Sequence, residues 1–148
     1  MLKEALLEIF ERDLGKLADE INSYTDENKL WETRGDISNS AGNLCLHLLG
    51  NLNHFVGATL GENGYVRNRP IEFSSKGVSR NDLLASIEKT KTVIAETLNE
   101  LPAEKFEEDF PVEKHDKAVK TDFMLLHLLT HFNYHLGQIN YHRRLIEK

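Results

Sequence analysis

The sequence predicts an all-α protein, a four-helix bundle. Three observations predict it. Apolar residues recur at helical spacing in four separate stretches. The stretches are separated by segments rich in Asn, Gly, Asp and Ser, two of them long. The chain has 148 residues, the size of one ordinary domain that can bury a proper core. Nothing in it suggests a second domain, so residues 1–148 are taken as one unit.

The first helix is expected over residues 2 to 22, where Leu2, Leu6, Ile9, Leu17 and Ile21 share a face and charged residues take the rest. Its last turn, with Asp19, Glu20 and Asn22, holds no cation. A loop, SYTDENKLWETRGDIS, follows, with Trp31 as the side chain that would pin it to the body. A second helix should run from about Asn39 to Leu60, capped by Ser38 or Ser40 and stopped by Gly61. Its apolar face is Leu44, Cys45, Leu48, Leu52, Phe55 and Val56.

Residues 61 to 79, GENGYVRNRPIEFSSKGVS, cannot form a long helix, and a connection of this length is often functional. It is long enough to span a bundle, so the helices it joins need not be antiparallel neighbours. Ser79 and Asp82 resemble a capping box that opens a third helix running to about Asn99, with Leu83, Leu84, Ile87, Val93, Ile94 and Leu98 facing inward. Pro102 ends it. A charged connector, residues 103 to 120, could hold a short extended piece in FEEDFPVE, and Thr121 is the expected cap of the fourth helix, which reaches Ile146.

That last helix carries four of the seven histidines, His127, His131, His135 and His142. Leu125, Leu128, Leu129, Phe132, Leu136 and Ile139 form its buried stripe, and His127, His131 and His135 lie on the flank. Residues four apart are about 6 Å apart along the axis, so either His127 with His131 or His131 with His135 can converge on one ion. The outer two are about 12 Å apart, too far for nitrogens that must each lie roughly 2 Å from a metal. A further ligand must come from another helix. The second helix offers His47 and His54, about 10 Å apart along the axis, so only one of them can join. Bundle cofactor sites draw side chains from facing helices, and His47 with His131 and His135 is the preferred set. Imidazole suits Zn, Ni or Fe, and three protein ligands with an open position is the pattern of a catalytic site that activates water or a substrate thiol. Against this, histidines beside an apolar stripe are commonly hydrogen-bonded core residues, and pairs four apart arise by chance.

The net charge is −6 with 28% charged residues and no basic stripe, which argues against nucleic acid and anionic membrane as partners. The opening MLKEALLEIFERDLGKL is amphipathic rather than an apolar signal core, and a cytoplasmic location is expected. The single cysteine, Cys45, excludes an internal disulfide and fits the apolar face of its helix as inert core.

The wording of two helices adds to their spacing. GNLCLHLLGNLNHF and HFNYHLGQINYHRR resemble the second and fourth helices of the DinB/YfiT-like superfamily, small four-helix proteins regarded as metalloenzymes. The resemblance covers most of the chain, and GYVRNRPIEF is similar to the loop of an uncharacterised bacterial branch. It implies an up-down-down-up helix order and a divalent metal held by His47, His131 and His135, the last followed by Gly137 and Gln138. It also implies an enzyme acting on a small molecule, for which transfer of a low-molecular-weight thiol to an electrophile is one version. A metal-dependent hydrolase would use the same site. A non-catalytic binding or dimerisation bundle with structural histidines is the rival from another class, and a homodimer would suit a bundle this small.

Other residues have two readings each. Gln138 could orient a ligand or make an interhelix hydrogen bond. Arg67 and Arg69 could bind a carboxylate or phosphate, or pair with Glu72 to fix the loop. Tyr134 and Tyr141 could donate a proton, although aromatics at helical spacing usually pack. His54 and His127 are candidates for an outer layer of the site. His115 is expected in solvent, and His142 with Arg143 and Arg144 would complement the helix dipole.

Overall fold

A computed structural model describes all residues, 1–148, and every regular element in it is helical. The first helix, α1, is Leu2–Ser23. A single 3₁₀ turn, Glu27–Trp31, interrupts the loop that follows, and the Trp31 ring lies flat on Gly42, where a Cβ would come within 2.7 Å of it. The next helix, α2, is Ala41–Leu52 and continues as a π-helical run, Asn53–Leu60. Of the two candidate caps it is Ser40 whose Oγ accepts from Asn43 N.

The long connection contains a short helix, α3, Arg69–Ser74, started by the Asn68 side chain and by Pro70, whose missing N–H costs nothing in a first turn. Ser79 caps α4, Arg80–Glu100, by accepting from Asp82 N. The last helix is α5, Thr121–Ile146. Thr121 is not its cap. The Thr121 hydroxyl and backbone N–H both go to the carbonyl of Glu108, which ties the connector to the base of α5. The expected extended piece amounts to two isolated bridges, Asp109 with Lys120 and Lys114 with Lys117, closed by a tight turn at His115 and Asp116, both at positive φ.

The four long helices form a closed ring in which α1 touches α4 and α5, and α2 touches α4 and α5. Side-chain pairs set their directions. Lys3 Nζ donates to Asn99 O, so α1 and α4 are antiparallel. Asp13 pairs with Asn133 and Glu20 with Asn140, so α1 and α5 are parallel. Asn53 meets Thr90, and Gly57 lies against Val93, so α2 and α4 are parallel. Leu44 shares a cleft with Tyr141 while His47 faces His131, so α2 and α5 are antiparallel. The order along the chain is up, down, down, up.

This order has a consequence for residues 61–79. Because α2 and α4 run the same way, the chain must climb back along α2 before α4 can begin. It passes His47 on the way. The amide of Asn43, buried in α2, donates to the carbonyls of Glu72 and Ser75 and holds the returning strand of chain against the helix.

One apolar cluster fills the ring, including Phe10, Leu17, Leu48, Ile87, Leu128 and Phe132. Burial departs from the sequence pattern in the first half of α1, where Leu2 is exposed and Phe10 takes the place expected of Ile9. Thr90 is buried in α4, where its hydroxyl accepts from Asn53 Nδ2 and donates to Ser86 O. No helix is long and apolar enough to cross a membrane.

Candidate functional site

His47 lies in the second turn of α2 and is 5% exposed. His131 and His135 occupy successive turns of α5, half-buried, on the flank facing α2. The antiparallel crossing brings the three rings together, with centroids 4.7 to 5.2 Å apart. Each offers a ring nitrogen, and these atoms lie within 4.8 Å of one another. The Nε2 atoms of His47 and His131 are 3.2 Å apart. Two nitrogens each about 2.0–2.1 Å from one tetrahedral ion lie about 3.3–3.4 Å apart, so this pair is spaced as two ligands would be.

The opposite ring nitrogens show which lone pairs are free. His47 Nδ1 lies 3.1 Å from Glu72 Oε1 and 3.3 Å from Arg67 Nη2; because Nη2 already donates to Oε1 at 2.9 Å, the ring nitrogen is assigned as the donor to the carboxylate. His135 Nδ1 donates to Gln138 Oε1 at 2.6 Å, one turn further along α5. In both rings Nε2 is left without a proton, the form a metal needs. His131 Nδ1 is buried and has no hydrogen-bond partner. Burial lowers the proton affinity of two of the rings: His131 is pushed down to about 4 by desolvation and then by the neighbouring His135 and His47. His47 is also lowered, by burial first, with the Glu72 hydrogen bond opposing it. Convergent imidazoles are a donor set that fits a divalent ion of borderline softness.

Glu72 is 6% exposed and belongs to α3, in the connection. Its carboxylate accepts from Arg67 Nε at 2.8 Å and Nη2 at 2.9 Å, a two-pronged pair, and Oε1 sits between Arg67 and His47. Arg67 therefore fixes the loop, as one of its two readings has it. Arg69 stacks instead over Phe73, and Phe73 packs on His47. A groove of about 810 Å³ lies on the other side of Glu72 between α2, α4 and the loop, and none of the three histidines lines it.

Apart from Tyr134, which touches His135, the remaining candidates lie outside the three-ring cluster. His54 sits in the π-helical run with its ring against Phe55. His127 lies one turn before His131, where its proton affinity is lowered by burial and then by Lys114. His115 is exposed beside Lys114. Tyr134 packs its ring edge on His135 yet remains exposed, as does Tyr141, so neither is packed in the core. His142 is not part of a solvated cationic end of α5: it is buried, with Nδ1 accepting from Tyr24 and Nε2 donating to Glu32 O. Arg143 instead reaches Glu20 of α1, the cation that the last turn of α1 lacks in sequence. Cys45 is fully buried, with its thiol raised to about 12 by desolvation.

Sequence reasoning missed the contact of Glu72 with His47, and with it the role of Asn43. The only signal was indirect, an acidic residue two positions after Pro70 in a connection too long to be a simple turn.

No curated protein matches the chain. A family model matches residues 4–148, taking in both histidine-bearing helices and the connection that carries Glu72. The chain belongs to the family described as Protein of unknown function (DUF1572).

Proposed function

We propose that His47, His131 and His135 hold one divalent metal ion, Zn, Ni or Fe, and that the protein is a single-domain, metal-dependent enzyme of the DinB/YfiT-like kind acting on a small molecule. The observation that carries this reading is the convergence of three imidazoles from two helices, with their second nitrogens taken by Glu72 and Gln138 in two of the three. An ion bound there would supply Lewis acidity to a substrate oxygen or thiol at a position the protein leaves open. The chain's own residues hold the donors in place. Glu72 and Gln138 fix ring orientation, α2 and α5 fix the distance between rings, and Phe73 and Tyr134 flank them with apolar surface. Transfer of a low-molecular-weight thiol to an electrophile is the preferred reaction, on resemblance alone, and hydrolysis is the competitor.

Metal analysis of protein purified without a histidine tag tests the reading. About one divalent ion per chain, lost in His131→Ala, supports it, since a missing ligand removes a third of the donor set. Substoichiometric metal that His131→Ala leaves unchanged would refute it.

A second reading, a non-catalytic bundle that self-associates, is favoured by one observation. Phe123, Tyr134, Tyr141 and Leu145 are exposed along a single side of α5. Sedimentation of the metal-free protein as a concentration-independent monomer would remove that support.

A further inference from the structure

Residue 72 belongs to a surface connection, yet its carboxylate lies in the interior, and three features bring it there. Asn43 binds its carbonyl at 3.0 Å and so fixes its backbone against α2. Arg67 grips both carboxylate oxygens. Gly50, one turn after His47, gives it room: a Cβ at that position would collide with Oε2 and lie 2.6 Å from Cδ. Glycine is disfavoured in a helix interior, and here the space it leaves is filled by an acid from another element.

Anchoring the connection does not require this arrangement. Asn43 already holds it at Glu72 and Ser75, and Lys76 Nζ adds a bond to Asn43 Oδ1. Burying an ion pair is costly, and an exposed Arg–Glu pair would have served a loop as well. What the buried geometry adds is the contact with His47.

We infer that Glu72 is a positioning residue, admitted by the Gly50 notch and aimed by Arg67, that keeps the proton of His47 on Nδ1 so that Nε2 faces His131 and His135. The tautomer is a property of the chain without metal. Its use rests on the three-histidine reading above.

Two measurements test the inference and separate it from that reading. Long-range ¹⁵N–¹H correlation spectra of the metal-free protein at neutral pH report the His47 tautomer. The wild type should show the proton on Nδ1, whereas Glu72→Ala and Gly50→Ala should show a mixture or the opposite tautomer. Cobalt(II) affinity, measured by chelator competition, should fall by about 10- to 100-fold in both variants, with an unchanged far-ultraviolet spectrum. Lys76→Ala, which loosens the connection without touching the carboxylate, should keep wild-type affinity. Should Gly50→Ala fail to fold, Glu72→Ala still decides. An unaltered His47 tautomer in Glu72→Ala, or equal loss of affinity in Lys76→Ala, overturns the inference. A wild type that binds no cobalt refutes the metal reading, while the spectra still settle what Glu72 does to His47.

Discussion

The hydroxyl of Tyr24 donates to His142 Nδ1 at 2.6 Å in the buried seam where the end of α1 meets the end of α5. The other ring nitrogen donates to the Glu32 carbonyl at 2.7 Å, so both nitrogens are used and the ring is neutral. Burial raises the Tyr24 phenol above its ordinary range, which keeps it a donor. Tyr24→Phe keeps the ring and removes the donor, leaving a buried acceptor unpaired. Urea denaturation should show a loss of about 1–3 kcal/mol at unchanged m-value. Equal stability would mean that this contact is idle.

The same pair predicts a pH dependence. Burial lowers the His142 pKa below 6.5, helped by the nearby Arg34 charge, and the Glu32 hydrogen bond opposes it. The unfolded chain then takes up the proton first as pH falls. The stabilisation is complete above about 6.5 and is lost as pH drops toward the folded-state value. The buried site histidines contribute in the same direction, so the comparison must be with His142→Gln, whose amide can replace both hydrogen bonds without titrating. Below about pH 6.5 the wild type should lose up to about 1.4 kcal/mol per pH unit more than the variant. Parallel pH–stability curves would contradict the assignment.

Asp13 is fully buried on α1 and accepts from Asn133 Nδ2 at 2.6 Å and from Arg12 Nε at 2.9 Å. Arg12 is exposed to solvent, where an ion pair contributes little. Asn133→Ala should therefore cost more than Arg12→Ala, about 1–3 kcal/mol, because it leaves carboxylate lone pairs unmet in the interior. Thermal denaturation of the two variants decides it, and the reverse ranking would count against the α1–α5 contact as drawn.

Cys45 should not react with a thiol-directed disulfide reagent in the folded protein, since it is inaccessible and its thiolate is disfavoured by burial. One equivalent should react on denaturation. Rapid labelling under native conditions would place the residue outside the core.

The helices were legible because their ends carry local chemistry: Ser40 and Ser79 accept from the backbone three residues on, and Pro102 closes α4. The buried stripe of α5, Leu125 to Ile139, was legible because it repeats at the helical period over about four turns. The convergence of His47 with His131 and His135 could be posed from spacing, since i,i+4 geometry is local. Which histidine of α2 joins them depends on the direction of α2 against α5, and that shows only in long-range neighbours such as Leu44 and Tyr141. His142 was misjudged because the sequence places it beside two arginines, while its partners Tyr24 and Glu32 come from the other end of the chain. Glu72 was out of reach for a similar reason. Its contact with His47 spans 25 residues and depends on the connection returning along α2 and on a missing side chain at Gly50. Nothing periodic marks either.

The central claim, that one ion is shared by His47, His131 and His135, is tested most directly by anomalous diffraction collected on both sides of a metal absorption edge from crystals of the untagged protein. The account predicts a single strong difference peak about 2.0–2.2 Å from a nitrogen of each of the three rings, with Glu72 on the far nitrogen of His47. A map with no peak among these rings, or with the ion bound by other residues while His47 stands apart, would contradict it.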